Sequence, residues 1–456
     1  MNNQKKITKI FYIFLVSHLL IWTLIPSLSN INLPLDTIEA LAWGSNLDWG
    51  FNKHPPFSAL AVEFFFSFFG SQDWAYYLLS QIFVLIAFIY VWKLSNEIFK
   101  NKIYSLFSLL ALEGIYFYNF TTPEFNVNVS QLPFFALTSY FLWRGVNSKK
   151  KSDWILFGIF SAFGFLSKYL FIYLLLSIFL FLIFIYQDKR ILKYYVLSLM
   201  VSLAILVPHF FWLFENNFVT VFYGLNRSGF DETQFLNHLI NPLIFISKQL
   251  IILTPFFLMI FVLLKKISFK INTKSKKILF LLTISFLPFF LVLLTSVVTG
   301  AKIRTMWMTP FYLFMGTLFF EIQKNFIDLK KINKFYFVFL FFFFLSPVAY
   351  LTVSVLDNTK RTDYPGKEIA RLVQNKWDDN FSNEIKIVVG DEWSAGNLSY
   401  HLTSRPTWLQ ELKDFAGNLK QDQGVVYTGN PKVLKKICPG VFGTIKPVGY
   451  CMIGKR

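Results

Sequence analysis

The sequence predicts a polytopic α-helical membrane protein that carries a small α/β domain at its C-terminal end. Three observations carry that prediction. Of 456 residues, 55% are hydrophobic and only 15% charged, more apolar than a water-facing surface tolerates. Apolar stretches of about the length needed to cross a bilayer recur from residue 8 to residue 356. From Asp357 onward the composition turns from Phe-rich to mixed polar over the last 100 residues. Two cysteines do not organise a chain of this size, and 58 phenylalanines exclude a disordered or collagen-like composition.

The first apolar stretch, near 8–26, follows Lys5, Lys6 and Lys9. It is longer than the apolar part of a signal peptide and no small-residue cleavage site follows, so it reads as a retained anchor. Further stretches lie near 74–95, 102–120, 127–143, 154–167, 169–186, 194–214, 243–264, 278–299, 304–320 and 335–356, which makes about eleven spans. With the N-terminus placed in the cytoplasm, the inner connections carry 22 Lys and Arg; the outer ones carry 5, namely Lys53, Lys168, Arg227, Lys302 and Arg304. That asymmetry sets the orientation, turns the net charge of +18 into a topology signal, and leaves no reason to expect a nucleic-acid partner. An odd number of spans puts residues 357–456 outside as a separate domain, with residues 1–356 as the membrane domain. Within the tail, 385–390 and 424–427 read as buried strands and 365–373 as a helix.

Two outer connections are too long for turns, 27–73 and 215–242, and functional residues concentrate in such segments. In the first, Phe57 to Phe69 reads as a helix lying in the membrane interface. Ahead of it, Pro34 followed by Asp36 and Glu39 reads as a helix start with both carboxylates on one face. They either complement the helix dipole or carry chemistry. Lys53-His54-Pro55-Pro56 either presents cations to a lipid phosphate or is a stiff turn with an ordinary interfacial lysine. Glu113, inside the third stretch, supports the site from beneath through the Tyr116 or Asn119 region or pairs with a neighbouring helix, and Lys248 is read the same way. Asp391, Glu392 and Trp393 follow a strand and a glycine, a position that often meets ligand. Cys438 and Cys451 form a disulfide or remain two thiols. Five scattered histidines give no metal-ligand spacing; no cofactor is named, and a divalent metal stays open.

The string from Pro34 through Phe57, with its D-x-x-E-A and K-H-P-P elements, resembles the first outer loop of the bacterial family-39-like glycosyltransferases. These are relatives of protein O-mannosyltransferases and of the transferases that add aminoarabinose to lipid A, all built on the GT-C fold. Five further segments match in order: Thr122 to Asn126, Leu166 to Tyr169, Pro208 to Trp212 with Glu215 to Asn217, Thr299 to Trp307, and Gly390 to Asn397. The resemblance implies a GT-C membrane domain that moves a monosaccharide from a polyprenyl (undecaprenyl) phosphate to a cell-envelope acceptor, lipid A or another glycolipid first, protein or polysaccharide behind it, at the outer face of the bacterial inner membrane. Its first-loop aspartate falls on Asp36, with Glu39 where relatives have an adjacent acid, so which carboxylate acts stays open. The acid after Thr-Pro falls on Glu124. The residue before the proline pair, often a phosphate-contacting lysine, is His54 here, with Lys53 one earlier.

Chemistry adds its own constraint. A polyprenyl phosphate leaves as an anion and needs no protonation, so one base for the acceptor hydroxyl suffices, and none if the acceptor atom is an ionised phosphate oxygen. Cations must meet the departing phosphate, and the scarce outer ones, Lys53, Lys168, Arg227, Lys302 and Arg304, are the candidates, with Lys302, Arg304 and Lys53 favoured; the resemblance adds His54. The rival readings are a transporter or lipid flippase, which would place its ionisable groups near the bilayer midplane, and a receptor that works through its tail.

Overall fold

The computed structural model describes residues 2–229, 234–268, 270–357, 359–411, 423–445 and 447–456. Its first part is helical: α1 (Asn2–Ser29), α2 (Leu35–Gly44), α3 (Phe57–Phe69), α4 (Asp73–Phe99), α5 (Lys102–Leu110), α6 (Val127–Ser148), α7 (Lys151–Ser167), α8 (Ile172–Leu180), α9 (Lys189–Glu215), α10 (Val219–Arg227), α11 (Asn237–Val262), α12 (Lys276–Thr299), α13 (Met315–Gln323) and α14 (Ile332–Leu356). Among the described residues, seven helical segments are long and apolar enough to cross a membrane: 4–29, 73–99, 169–186, 189–215, 237–262, 276–299 and 329–356. Their outward faces carry bare Leu, Ile, Val and Phe, as a lipid-facing surface requires.

Two stretches expected as spans are not continuous helices. The 102–120 run is helical only to Leu110, then passes through 3-10 turns at Ala111–Gly114 and Tyr116–Tyr118; the 304–320 run opens with a 3-10 segment, Thr305–Tyr312, before α13. Close packing accompanies the first break. A Cβ on Gly114 would sit 2.6 Å from the backbone nitrogen of Phe256, so α11 passes directly over this point. Elsewhere the bundle uses the same device: Gly158 of α7 lies against the backbone of Ser198 in α9, and Ser202 donates to the Gly158 carbonyl at 2.7 Å. Aromatic pairs fill the wider gaps, such as Phe11 stacked on Trp92 at 4.5 Å between α1 and α4.

The tail folds as a five-stranded sheet with α15 (Gly366–Asp378), α16 (Ser394–His401) and α17 (Pro431–Ile437). Strand order is β2-β1-β3-β5-β4, where β1 is Ile387–Val389, β2 Thr407–Leu409, β3 Val425–Gly429, β4 Val441–Ile445 and β5 Val448–Ile453. β1 pairs parallel with β2 and β3, while β5 runs antiparallel to β3 and β4. Cys438 and Cys451 are joined in a disulfide that ties the end of α17 to β5.

This domain does not hang free of the membrane part. Ala42, Trp43, Phe51 and Ala59 of the segment between α1 and α4 share one hydrophobic core with Ile369, Trp377, Val388 and Leu398 of the tail. Gly396 lets α16 approach α2 until an added Cβ would be 3.1 Å from that of Ala42. Arg405 then fastens the joint, donating to the Leu41 carbonyl at 2.7 Å and to Glu63 of α3 at 2.6 Å, with its guanidinium over the Phe66 ring.

Candidate functional site

Pro34 stands at the N-cap of α2 in extended conformation, and one turn of helix puts Asp36 and Glu39 on the same face. That face borders a cavity of about 810 Å³. Its walls come from α2, the Lys53-His54-Pro55 turn, the start of α6, α8, α10, the end of α12, the 3-10 segment at 305–312 and residues Arg361 and Asp391–Trp393 of the tail. Among the described residues, no side chain donates a hydrogen bond to the Asp36 carboxylate; the group is half-buried and faces the cavity. Burial raises its pKa above the ordinary aspartate value, and Lys168, Lys53, Arg227 and Arg361 pull the other way.

Asn126 builds the next wall. Its side chain caps α6, accepting from the backbone of Asn128 and Val129 at 2.9 and 3.2 Å, and this turn positions Glu124. Glu124 Oε1 accepts the backbone N–H of Asp36 at 3.0 Å, so the two acids are tied together. Burial, reinforced by the charge of Asp36, lifts the Glu124 pKa to about 8. At neutral pH Glu124 therefore keeps its proton. The Glu124 side chain lines a second cavity of about 470 Å³, which shares Asn128, Arg227, Ile303, Arg304 and Met306 with the first.

Lys168 ends α7 and is buried between the Asn128 side chain, which accepts its Nζ–H, and the ring of Trp307, 5.4 Å away. Burial drags its pKa down to about 7 against the pull of Asp36. Lys53 is not a free cation: its Nζ meets Glu39 Oε1 at 2.8 Å and Glu392 Oε1 of the tail at 3.1 Å. Burial acts to lower the Lys53 pKa, but the hydrogen bond and charge of Glu39, with Glu392 behind them, raise it above the usual lysine value. His54 lies between the rings of Trp43 and Tyr223, where burial and the nearby cations push its pKa down to about 3, so it is neutral.

The remaining candidates distribute over the two cavities. Arg304 borders both; Lys302 borders only the second, together with Lys248, and both lysines are exposed. Glu113 forms no part of either lining. It pairs with His18 of α1 at 2.9 Å and accepts from Asn119 at 3.3 Å, a buried knot beneath the loop that leads to Glu124. Residues that sequence reasoning passed over are Asn128, Tyr169, Trp307 and Arg361. Tyr169 and Trp307 sit inside motif segments that signalled them; Asn128 and Arg361 carry no local signal. Among the described residues no three His, Cys, Asp or Glu converge as metal ligands, and Glu39 and Glu392 are bridged by Lys53.

The C-terminal end of α9 holds residues 48–50 in place. His209 Nδ1 meets the Trp49 carbonyl at 2.5 Å, Trp212 donates to Asp48 at 2.7 Å, and Gly50 lies under the Trp212 ring.

The family model for dolichyl-phosphate-mannose-protein mannosyltransferases matches residues 53–212, a range that contains Lys53, His54, Glu124 and Lys168 and begins after Asp36. No curated protein matches the sequence. ArnT from Cupriavidus metallidurans bound to undecaprenyl phosphate has a similar structure, with a TM-score of 0.67 and 11% identity over 98% of each chain. The same protein in its apo state gives 0.64 and 12%, again over 98% of both chains. The chain thus resembles the dolichyl-phosphate-mannose-protein mannosyltransferases over residues 53–212, and over almost its whole length it has the fold of the ArnT structures.

Proposed function

We propose that the protein transfers a monosaccharide from a polyprenyl phosphate, of the undecaprenyl type, to a cell-envelope acceptor. A glycolipid such as lipid A is the first candidate, at the periplasmic face of the inner membrane, with the N-terminus cytoplasmic and the tail periplasmic. One observation carries the reading: the carboxylate of Asp36, which receives no side-chain hydrogen bond among the described residues, faces a cavity that also holds Lys168, Arg227, Arg304 and Arg361. A carboxylate without a donor is available as a base, and the cations suit a group that departs as phosphate. The acceptor oxygen attacks the anomeric carbon, the bond to the phosphate oxygen breaks with its electron pair going to phosphate, and the acceptor proton passes to Asp36. Glu124, protonated at neutral pH, fixes the Asp36 backbone and adds no second negative charge beside it. The apolar residues between α8, α10 and α12, among them Ile172, Val221, Leu225 and Ile303, give the prenyl chain a lining on the lipid side.

The purified chain, given labelled polyprenyl-phosphate sugar and an envelope lipid extract, is expected to move label to lipid. Asp36→Asn is expected to lower turnover by about 10²- to 10⁴-fold, as loss of a general base does, with binding of polyprenyl phosphate retained. Wild-type turnover in that variant removes Asp36 from the role, and sugar-lipid movement across vesicles without transfer supports a flippase instead.

A further inference from the structure

We infer that Glu39, Glu392 and Trp393 form a subsite for the ring of the sugar, so that the tail domain takes part in substrate recognition; the inference rests on the glycosyl-transfer reading. Three observations point to it. Lys53 and Asn52 meet Glu392 only at Oε1, at 3.1 and 3.3 Å, and Lys53 meets Glu39 only at Oε1, at 2.8 Å. Among the described residues no protein donor reaches Oε2 of either acid, and both acids line the larger cavity. One lysine thus holds two carboxylates in place while each keeps an oxygen open to a hydroxyl donor.

Trp393 follows directly and also lines the cavity, half-buried, with its ring 5.2 Å from that of Tyr364. Its backbone N–H and that of Ser394 donate to Asp391 Oδ1 at 2.9 and 2.7 Å, which fixes the turn out of β1. A flat aromatic surface beside paired carboxylates is the chemistry that recognises a sugar, whose C–H face is apolar and whose rim donates hydrogen bonds.

The order along the cavity agrees. Asp36 feels Lys168 most strongly among its cations, whereas Glu39, one turn further along α2, is bound by Lys53 and so to the tail. A donor with its phosphate at Lys168 then extends its ring past Asp36 towards Glu39, Glu392 and Trp393. In this corner three carboxylates, Glu39, Asp391 and Glu392, face two cations, Lys53 and Arg361, so the ring carries hydroxyls and no carboxylate of its own.

Equilibrium binding of sugar-bearing and sugar-free polyprenyl phosphate to the full chain in detergent tests this. In the wild type the sugar is expected to add affinity. Glu392→Gln and, independently of the Lys53 contact, Trp393→Leu are each expected to weaken the sugar-bearing lipid about tenfold and leave the sugar-free lipid unchanged. Equal loss for both lipids, or no loss, overturns the subsite while leaving the glycosyl-transfer reading standing. Failure of the wild type to bind either lipid overturns that reading and the subsite with it.

Discussion

Lys168 shows how one residue draws its chemistry from several elements. From the sequence it is a lysine between two apolar runs; in the structure α7, Asn128 of α6 and Trp307 enclose it, and its pKa falls to about 7. The free protein then carries this charge below pH 7 and loses it above, so affinity for sugar-free polyprenyl phosphate is expected to fall as pH rises from 6 to 8.5. Lys168→Arg, whose charge persists, is expected to flatten that profile, and titration calorimetry at several pH values reads it directly. Glu124 makes the complementary case. With a pKa of about 8 it is neutral at pH 7, so Glu124→Gln is expected to keep turnover within about fivefold of wild type, since the Asp36 N–H retains an acceptor, whereas Glu124→Ala loses it. The folded state holds a proton on Glu124 that the unfolded chain releases near 4.5, so this group withdraws stability as pH rises between those two values. Asp36 and Glu39 were legible locally, because proline and a spacing of three define a helix start and a face. The Lys53–Glu392 contact was not, because it joins residues 339 positions apart through the docking of the tail.

At the scale of elements, hydropathy located the apolar segments but not their breaks. The 3-10 turns after Leu110 and at Thr305–Tyr312 lie inside runs whose flanks are apolar, so a window of span length reads each as one crossing. What distinguishes them is packing: Gly114 admits the α11 backbone, and Asn119 is held by Glu113 below and accepts from Ser346 of α14 at 2.8 Å. Gly114→Val is therefore expected to lower the melting temperature by several degrees, matching the roughly 1–3 kcal/mol of an overpacked core. Glu113→Ala leaves His18 without its partner inside the bundle and is expected to destabilise by about 1–3 kcal/mol, measured by thermal unfolding in detergent.

At the scale of the molecule, the tail and the segment between α1 and α4 share one core. The change in composition at Asp357 and the strand patterns at 385–390 and 424–427 made the tail domain legible, yet nothing in the chain announces that its core includes Trp43 and Phe51. Removing the Cys438–Cys451 disulfide by Cys438→Ser with Cys451→Ser is expected to cost about 2–4 kcal/mol within the tail, seen as earlier proteolysis there, while the membrane helices stay protected.

The shared core also has a temporal meaning. Trp43, Phe51 and the Glu39 carboxylate lie far ahead in the chain of the residues that cover them, so a nascent chain whose membrane helices are all inserted still lacks the wall that Arg361 and Asp391–Trp393 supply. The cavity would then gain that wall only when the sheet of residues 387–453 closes over the segment that carries Trp43 and Phe51, so the docking of the two is what completes the site.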